Sequence, residues 1–201
     1  MKTIKKIPTF FHEFSGRPIP AFDQNSYRLQ IDGAVEQRLD LSLIELEARL
    51  PVVERRRRFY CVNGWSLEAL WRGFELGDVL QLAEPQKDAI FLRAISMGGY
   101  EDTSVVCELV NRGALLATHM DGTPLSRERG APIRLLVFDR YQFRGVKSVA
   151  RLELTREYTA GSWVRYGYSD ATIQAFPHLA IESGVELMPD IEVLNLAIDQ
   201  H

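Results

Sequence analysis

Cys61 stands in the stretch Arg58-Phe59-Tyr60-Cys61-Val62-Asn63-Gly64-Trp65-Ser66, between an aromatic run and a Gly-Trp pair, and a second Trp71-Arg72-Gly73 follows. The chemistry open to a cysteine is that of its thiolate, a nucleophile or a metal ligand. We read Cys61 as a thiolate ligand to a metal centre. A lone cysteine is more often a small buried hydrophobe, so other residues must decide. Arg134 lies inside Ile133–Phe138, an otherwise apolar run. A cation in such a setting requires a buried anionic partner. Met97-Gly98-Gly99-Tyr100 carries two glycines, where backbone can approach another group closely. Cys107 has no comparable surroundings and keeps the hydrophobe reading.

Short elements must position these residues. Tyr27–Ile31 alternates like a strand and stops at Asp32-Gly33. Residues 41–50 predict a short helix, with Ser42 as N-cap, Glu45 three residues on, and Leu43, Leu46 and Leu50 as its apolar stripe. Glu54–Arg58 reads as a solvated strand end, and Phe59–Val62 as a short buried strand delivering Cys61. Residues 75–83 predict a second helix, with Leu76, Val79, Leu80 and Leu82 inward. Ala89–Ile95, Ala114–Thr118, Ile133–Phe138 and Val149–Leu154 predict strands, Gln142–Lys147 a loop, and Val105–Leu109 the start of another helix. This is an α+β pattern: mixed sheets with short helices and no regular βαβ alternation. One domain is expected, with an arm at 1–26, a body at 27–166 and an extension at 167–201.

The chain has 201 residues, 46% of them hydrophobic, and a net charge of −3. Nothing in that balance favours nucleic acid or an anionic membrane. No apolar run approaches the roughly 20 residues that span a bilayer. The N-terminus as written shows no export signal, so the expectation is cytoplasmic, or periplasmic if such a signal has been removed. Neither a Gly-x-Gly-x-x-Gly nor a Gly-x-x-x-x-Gly-Lys motif is present, so the dinucleotide and P-loop readings have no support.

Three blocks, in order, resemble the sulfite-oxidase-type molybdenum-cofactor domain, and within it the bacterial branch of periplasmic methionine-sulfoxide reductase catalytic subunits. The first is Cys61-Val62-x-x-Trp65-Ser66 with Trp71-x-Gly73-Phe74-x-Leu76 and Leu82-Ala83-Glu84-Pro85. The second is Gly130-Ala131-Pro132-Ile133-Arg134-Leu135-x-Val137. The third is Tyr141-x-Phe143-x-Gly145-Val146-Lys147-Ser148-Val149, then Leu154-Thr155-Arg156-Glu157 and Trp163. Phe11-His12-Glu13-Phe14 is a weaker echo ahead of them. The resemblance spans roughly residues 9–166.

The resemblance implies a molybdopterin cofactor, its metal held by two dithiolene sulfurs of the pterin and by the Cys61 thiolate, which also makes Cys61 the catalytic residue. A coordinated thiol gives up its proton outright. The pterin's terminal phosphate calls for cations and N–H donors: Arg134 as a planar fork, Lys147 as a point charge, and the backbone from Gly145 through Val146 to Ser148 as an anion-binding concavity. Ser96, His12 and Glu13 fall where the family contacts the pterin. Arg129 falls where the reductase branch carries an asparagine. Trp65 and Trp71 are expected to shape the pocket wall. Tyr100, Asp102 and Arg72 are weighed as substrate-facing against the commoner half-buried role.

The implied activity is oxygen-atom transfer on a small sulfoxide-like substrate, with molybdenum cycling between its +6 and +4 states. Electrons would pass to or from a separate partner, a haem protein or another redox carrier. Thr9 and Phe10 replace asparagines of the reductase branch, and Phe138-Asp139-Arg140 replaces its Pro-Trp-Lys. Asn63-Gly64-Trp65 replaces the arginine-rich segment of the sulfite oxidases, which argues against sulfite. These departures keep two other readings open: a non-catalytic pterin-binding or interaction module on the same fold, and an ordinary α+β protein with coincident motifs.

Overall fold

The computed structural model describes residues 23, 26–61, 65–138 and 141–165, without the side chains of Cys61 and Trp65. His12, Glu13, most of the expected arm and the extension after 166 lie outside the described residues.

Period-two burial builds the first sheet. In β1 (Leu29–Gly33), Leu29 and Ile31 are buried and Gln30 is exposed. β2 (Leu39–Leu41) pairs antiparallel with β1. α1 (Leu43–Arg49) begins as expected: the Ser42 side chain accepts from the Glu45 amide and the Glu45 carboxylate accepts from the Ser42 amide. That reciprocal pairing satisfies donors the first turn would leave open. Leu46 is buried, and Leu43 and Leu50 pack partly against the same core.

The second sheet starts with β3 (Val53–Cys61) and β4 (Trp65–Glu75), antiparallel from Val53↔Gly73 to Cys61↔Trp65. The sequence predicts a solvated strand end at Glu54–Arg58 and a buried strand at Phe59–Val62. In the structure these form one strand of nine residues, its arginines carried on a pleat whose partner, β4, sequence reading did not foresee. In β4, Leu67, Ala69 and Trp71 are buried and alternate with less buried neighbours, a strand period that ends at a register shift between Arg72 and Gly73. Gly73 is a point of contact: a Cβ there would lie 2.0 Å from the Leu116 carbonyl oxygen.

α2 (Leu76–Gln81) buries Leu76, Val79 and Leu80. β5 (Phe91–Ser96) and β6 (Glu101–Val105) form a hairpin. β6 is a strand the sequence does not predict, since its buried residues are polar. α3 (Val106–Asn111) carries Cys107, which is exposed and free rather than buried. β7 (Leu115–Met120) turns at Asp121-Gly122, both left-handed, into β8 (Thr123–Pro124). β9 (Arg134–Leu136) is shorter than the expected Ile133–Phe138. β10 (Val149–Thr155) and α4 (Ser162–Arg165) complete the described chain.

The first sheet has the order β2-β1-β10-β5-β6, with β1 and β10 parallel. The second has the order β3-β4-β7-β8, with β9 also on β7, all antiparallel. One core packs the first sheet with α1 and α2, and a second gathers Phe59, Leu67, Trp71, Leu115, Leu136 and Phe138. Burying each large side chain contributes about 1.5–3 kcal/mol. The α+β class with mixed sheets and short helices is the fold expected from sequence.

Candidate cofactor site

The two sheets meet along β9 and the loop 141–148. Leu135 and Val146 exchange backbone hydrogen bonds at 2.8 and 3.2 Å. The Val149 amide donates to the Ile133 carbonyl at 3.0 Å, and the Ser148 amide to that of Gly130 at 3.1 Å. Gly130 is left-handed, at φ 101°, and sits between two cations: a Cβ on it would lie 2.9 Å from Lys147 Cβ and 3.1 Å from Arg134 Cβ. A short helical turn at Arg127–Arg129 leads into it. This glycine brings Arg134 and Lys147 to one place, and only glycine fits there.

Arg134 is buried, at 6% exposure. Its Nη1 donates to the Arg129 carbonyl at 3.1 Å. The guanidinium lies over the Phe59 and Trp71 rings, 5.3 and 5.8 Å from their centroids. Ring quadrupoles offset part of the desolvation of a buried cation. Lys147 is half-buried, its Nζ donating to the Glu128 carbonyl at 2.8 Å. The Arg129 guanidinium lies against Met120 Sδ at 3.1 Å.

Ser148 is fully buried and left-handed at φ 49°, although it is not glycine. Its hydroxyl has no hydrogen-bonding partner among the described residues. A buried hydroxyl without a partner is costly, and a strained backbone adds to that cost. Both are features of a residue kept for a ligand. The residues present therefore fit an anionic group.

Three of the four amides of the expected concavity are engaged within the protein. Those of Gly145, Val146 and Ser148 donate to the carbonyls of Gln142, Leu135 and Gly130. The polar side chains gathered here are those of Arg134 on β9 and of Lys147 and Ser148 on the loop. Gly145 has a packing reason instead, since a Cβ there would meet Gln142 Oε1 at 2.4 Å and the Leu135 carbonyl at 2.7 Å.

Ser96 lies beside this group. It pairs with Val149 across the first sheet, and the Met97 amide donates to the Ser148 carbonyl at 2.8 Å. Its Oγ accepts from the amides of Gly98 and Tyr100, at 3.2 and 3.1 Å, which closes the two-glycine turn. β3 ends at the same loop. Tyr60 bridges Tyr141, and the Gln142 amide donates to the Tyr60 carbonyl at 2.8 Å. The backbone of Cys61 is thus next to the loop, two residues beyond the ring that lies under Arg134. Burial pushes the Tyr141 phenol up to about 12, so it remains protonated at neutral pH.

Three residues weighed as substrate-facing have other partners. Asp102 is buried and ion-paired with Arg144 at 3.1 Å. The Tyr100 hydroxyl donates to the Phe143 carbonyl, and burial first, then Asp102, raise its pKa well above the ordinary value. Arg72 Nη1 lies 3.2 Å from His119 Nδ1 in the second sheet. Trp71 is fully buried, its indole N–H donating to the Arg57 carbonyl at 3.2 Å. Sequence reading missed Arg144. The signal was there: a cation between Phe143 and Val146 needs an anion for the same reason as Arg134.

Known proteins share the sequence pattern and the fold of this chain. The family described as oxidoreductase molybdopterin binding domain matches residues 16–163. The protein-methionine-sulfoxide reductase catalytic subunit MsrP of Campylobacter jejuni is 30% identical, over 80% of this chain and 61% of its own. This chain therefore spans about three fifths of that relative's length. The sulfane dehydrogenase SoxCD of Paracoccus pantotrophus shares the fold, with a TM-score of 0.64 and 22% identity over 70% of this chain and 41% of that one. An ordinary α+β protein with coincident motifs is excluded by the extent of the match. The chain belongs to the oxidoreductase molybdopterin binding domain family.

Proposed function

We propose that this chain is the cofactor-bearing domain of a molybdenum-dependent oxidoreductase that reduces a small sulfoxide or related oxide. The observation that carries the reading is the meeting of Arg134, Lys147 and the orphaned Ser148 hydroxyl beside the end of the strand that bears Cys61. Arg134 supplies a fork to a phosphate, Lys147 a second charge, and the Ser148 hydroxyl a hydrogen bond from a dry site. Ser96 sits at the next position across the sheet. Cys61 is the thiolate that takes the metal. Arg129 stands near enough in sequence to Gly130 to join the phosphate end; His12 and Glu13 are assigned to the pterin from their place in the family pattern.

When bound, the cofactor supplies oxygen-atom transfer at molybdenum. The net change for a sulfoxide is two electrons and two protons taken up, with sulfide and water released. The two electrons come from a separate carrier, a haem protein or another redox protein. Of the two compartments expected from sequence, the periplasm is the one implied by the motif resemblance to the periplasmic reductase branch.

Purified protein reduced with a viologen should turn over at least one member of a panel of methionine and small alkyl sulfoxides. Cys61→Ser should abolish that turnover while leaving the thermal midpoint of the apoprotein unchanged. Stoichiometric pterin with no turnover on any oxide would instead support the binding-module reading.

A further inference from the structure

We propose that the buried Asp102–Arg144 ion pair is the positioning element of the loop that grips the cofactor's phosphate end; this rests on the function proposed above. Arg144 lies one residue before Gly145 and three before Lys147. Its Nη1 is 3.1 and 3.3 Å from the two Asp102 carboxylate oxygens and 3.1 Å from the Thr103 carbonyl. The two side chains are only 3% and 2% exposed. Asp102 also accepts from the Ser104 hydroxyl at 3.1 Å. Gly161 closes over it, where a Cβ would lie 2.6 Å from Asp102 Oδ1.

A buried ion pair is a poor way to gain stability, since desolvation cancels much of the attraction and an apolar pair of equal volume would serve. What a guanidinium held by three acceptors adds is a fixed direction. That direction is imposed on a loop whose neighbours are the phosphate-binding side chains. The same hairpin, β5 and β6, holds the loop on both sides of Gly145–Lys147. Tyr100 reaches the Phe143 carbonyl ahead of it, and the Met97 amide reaches the Ser148 carbonyl behind it. Only the Asp102–Arg144 contact in this set joins hairpin to loop through side chains on both elements. The backbone bonds to β9 and Gly130 fix one side of the loop; in this proposal the ion pair fixes its other side, and so the direction in which Lys147 and Ser148 face Arg134. Neither residue touches the cofactor in this account; they act through the loop.

The test compares wild type, Asp102→Asn, and the double variant Asp102→Leu/Arg144→Met, which replaces the pair by apolar groups. Each is produced with molybdenum-cofactor synthesis intact. Pterin per protein is read by fluorescence of the oxidised, released pterin, and the apoprotein's thermal midpoint is read separately. The double variant should recover the wild-type apoprotein midpoint, yet its retained pterin should fall by about 10- to 100-fold, the usual loss when a supporting shell is removed. Equal pterin in wild type and the double variant would overturn the inference. So would pterin content that merely follows the thermal midpoint across the set. If Asp102→Asn fails to accumulate, the double variant carries the comparison. A wild type without pterin would overturn the proposed function, and this inference with it, an outcome distinct from the other two.

Discussion

Ser148 holds a left-handed backbone with a β-carbon and a buried hydroxyl that no described residue satisfies. Each feature costs stability: the conformation roughly 1–2 kcal/mol and the hydroxyl a comparable amount. Ser148→Gly should therefore raise the apoprotein's stability by about 1 kcal/mol in urea titration while lowering cofactor retention by about tenfold. Opposite signs in the two measurements mark a ligand-holding residue; a fall in both would mark a structural one. Arg134→Lys keeps the charge but loses the fork and the contact with the rings, and should lose pterin about as severely as Ser148→Gly. His119 offers a pH dependence outside the site. Burial first, then the charge of Arg72, hold its pKa below the ordinary 6.5, with Glu47 pulling the other way. The folded chain binds that proton more weakly than the unfolded chain does. Its stabilising contribution is complete above about pH 6.5 and is lost as pH falls through the lower folded value. His119→Gln should flatten the decline of thermal midpoint between roughly pH 7 and pH 5.

Elements follow local rules where the signal is local. The capping box at Ser42 and Glu45 was legible because both partners lie within one helical turn, and Ser42→Ala should cost about 1 kcal/mol. β4 was not legible, because Gly73 interrupts its apolar pattern and one of its two partners, β7, is distant in sequence. Gly73 shows how close that partner lies: with the Leu116 carbonyl 2.0 Å from any Cβ, Gly73→Ala should destabilise by about 2–3 kcal/mol, read from the urea midpoint. β6 escaped detection for another reason. Its buried positions are Glu101, Asp102, Thr103 and Ser104, and burial of such residues is explained only by partners elsewhere, such as Arg144, Arg93 and Arg165.

For the whole molecule, the two sheets converge on β9 and the loop 141–148, and that convergence brings Arg134, Lys147, Ser148 and the end of β3 together. The order of motifs pointed to this meeting. What it did not reveal is that the amides of Gly145, Val146 and Ser148 are spent on the protein's own carbonyls, which is why the proposed function assigns the anion to side chains. Patterns of residues report which positions matter; hydrogen-bond partners distant in sequence decide what each contributes. Cys61 is proposed as the protein's sulfur ligand to molybdenum. X-ray absorption at the molybdenum edge should find one fewer sulfur neighbour in Cys61→Ser than in wild type, with pterin still bound through Arg134, Lys147 and Ser148. An unchanged sulfur count in the variant would contradict the account.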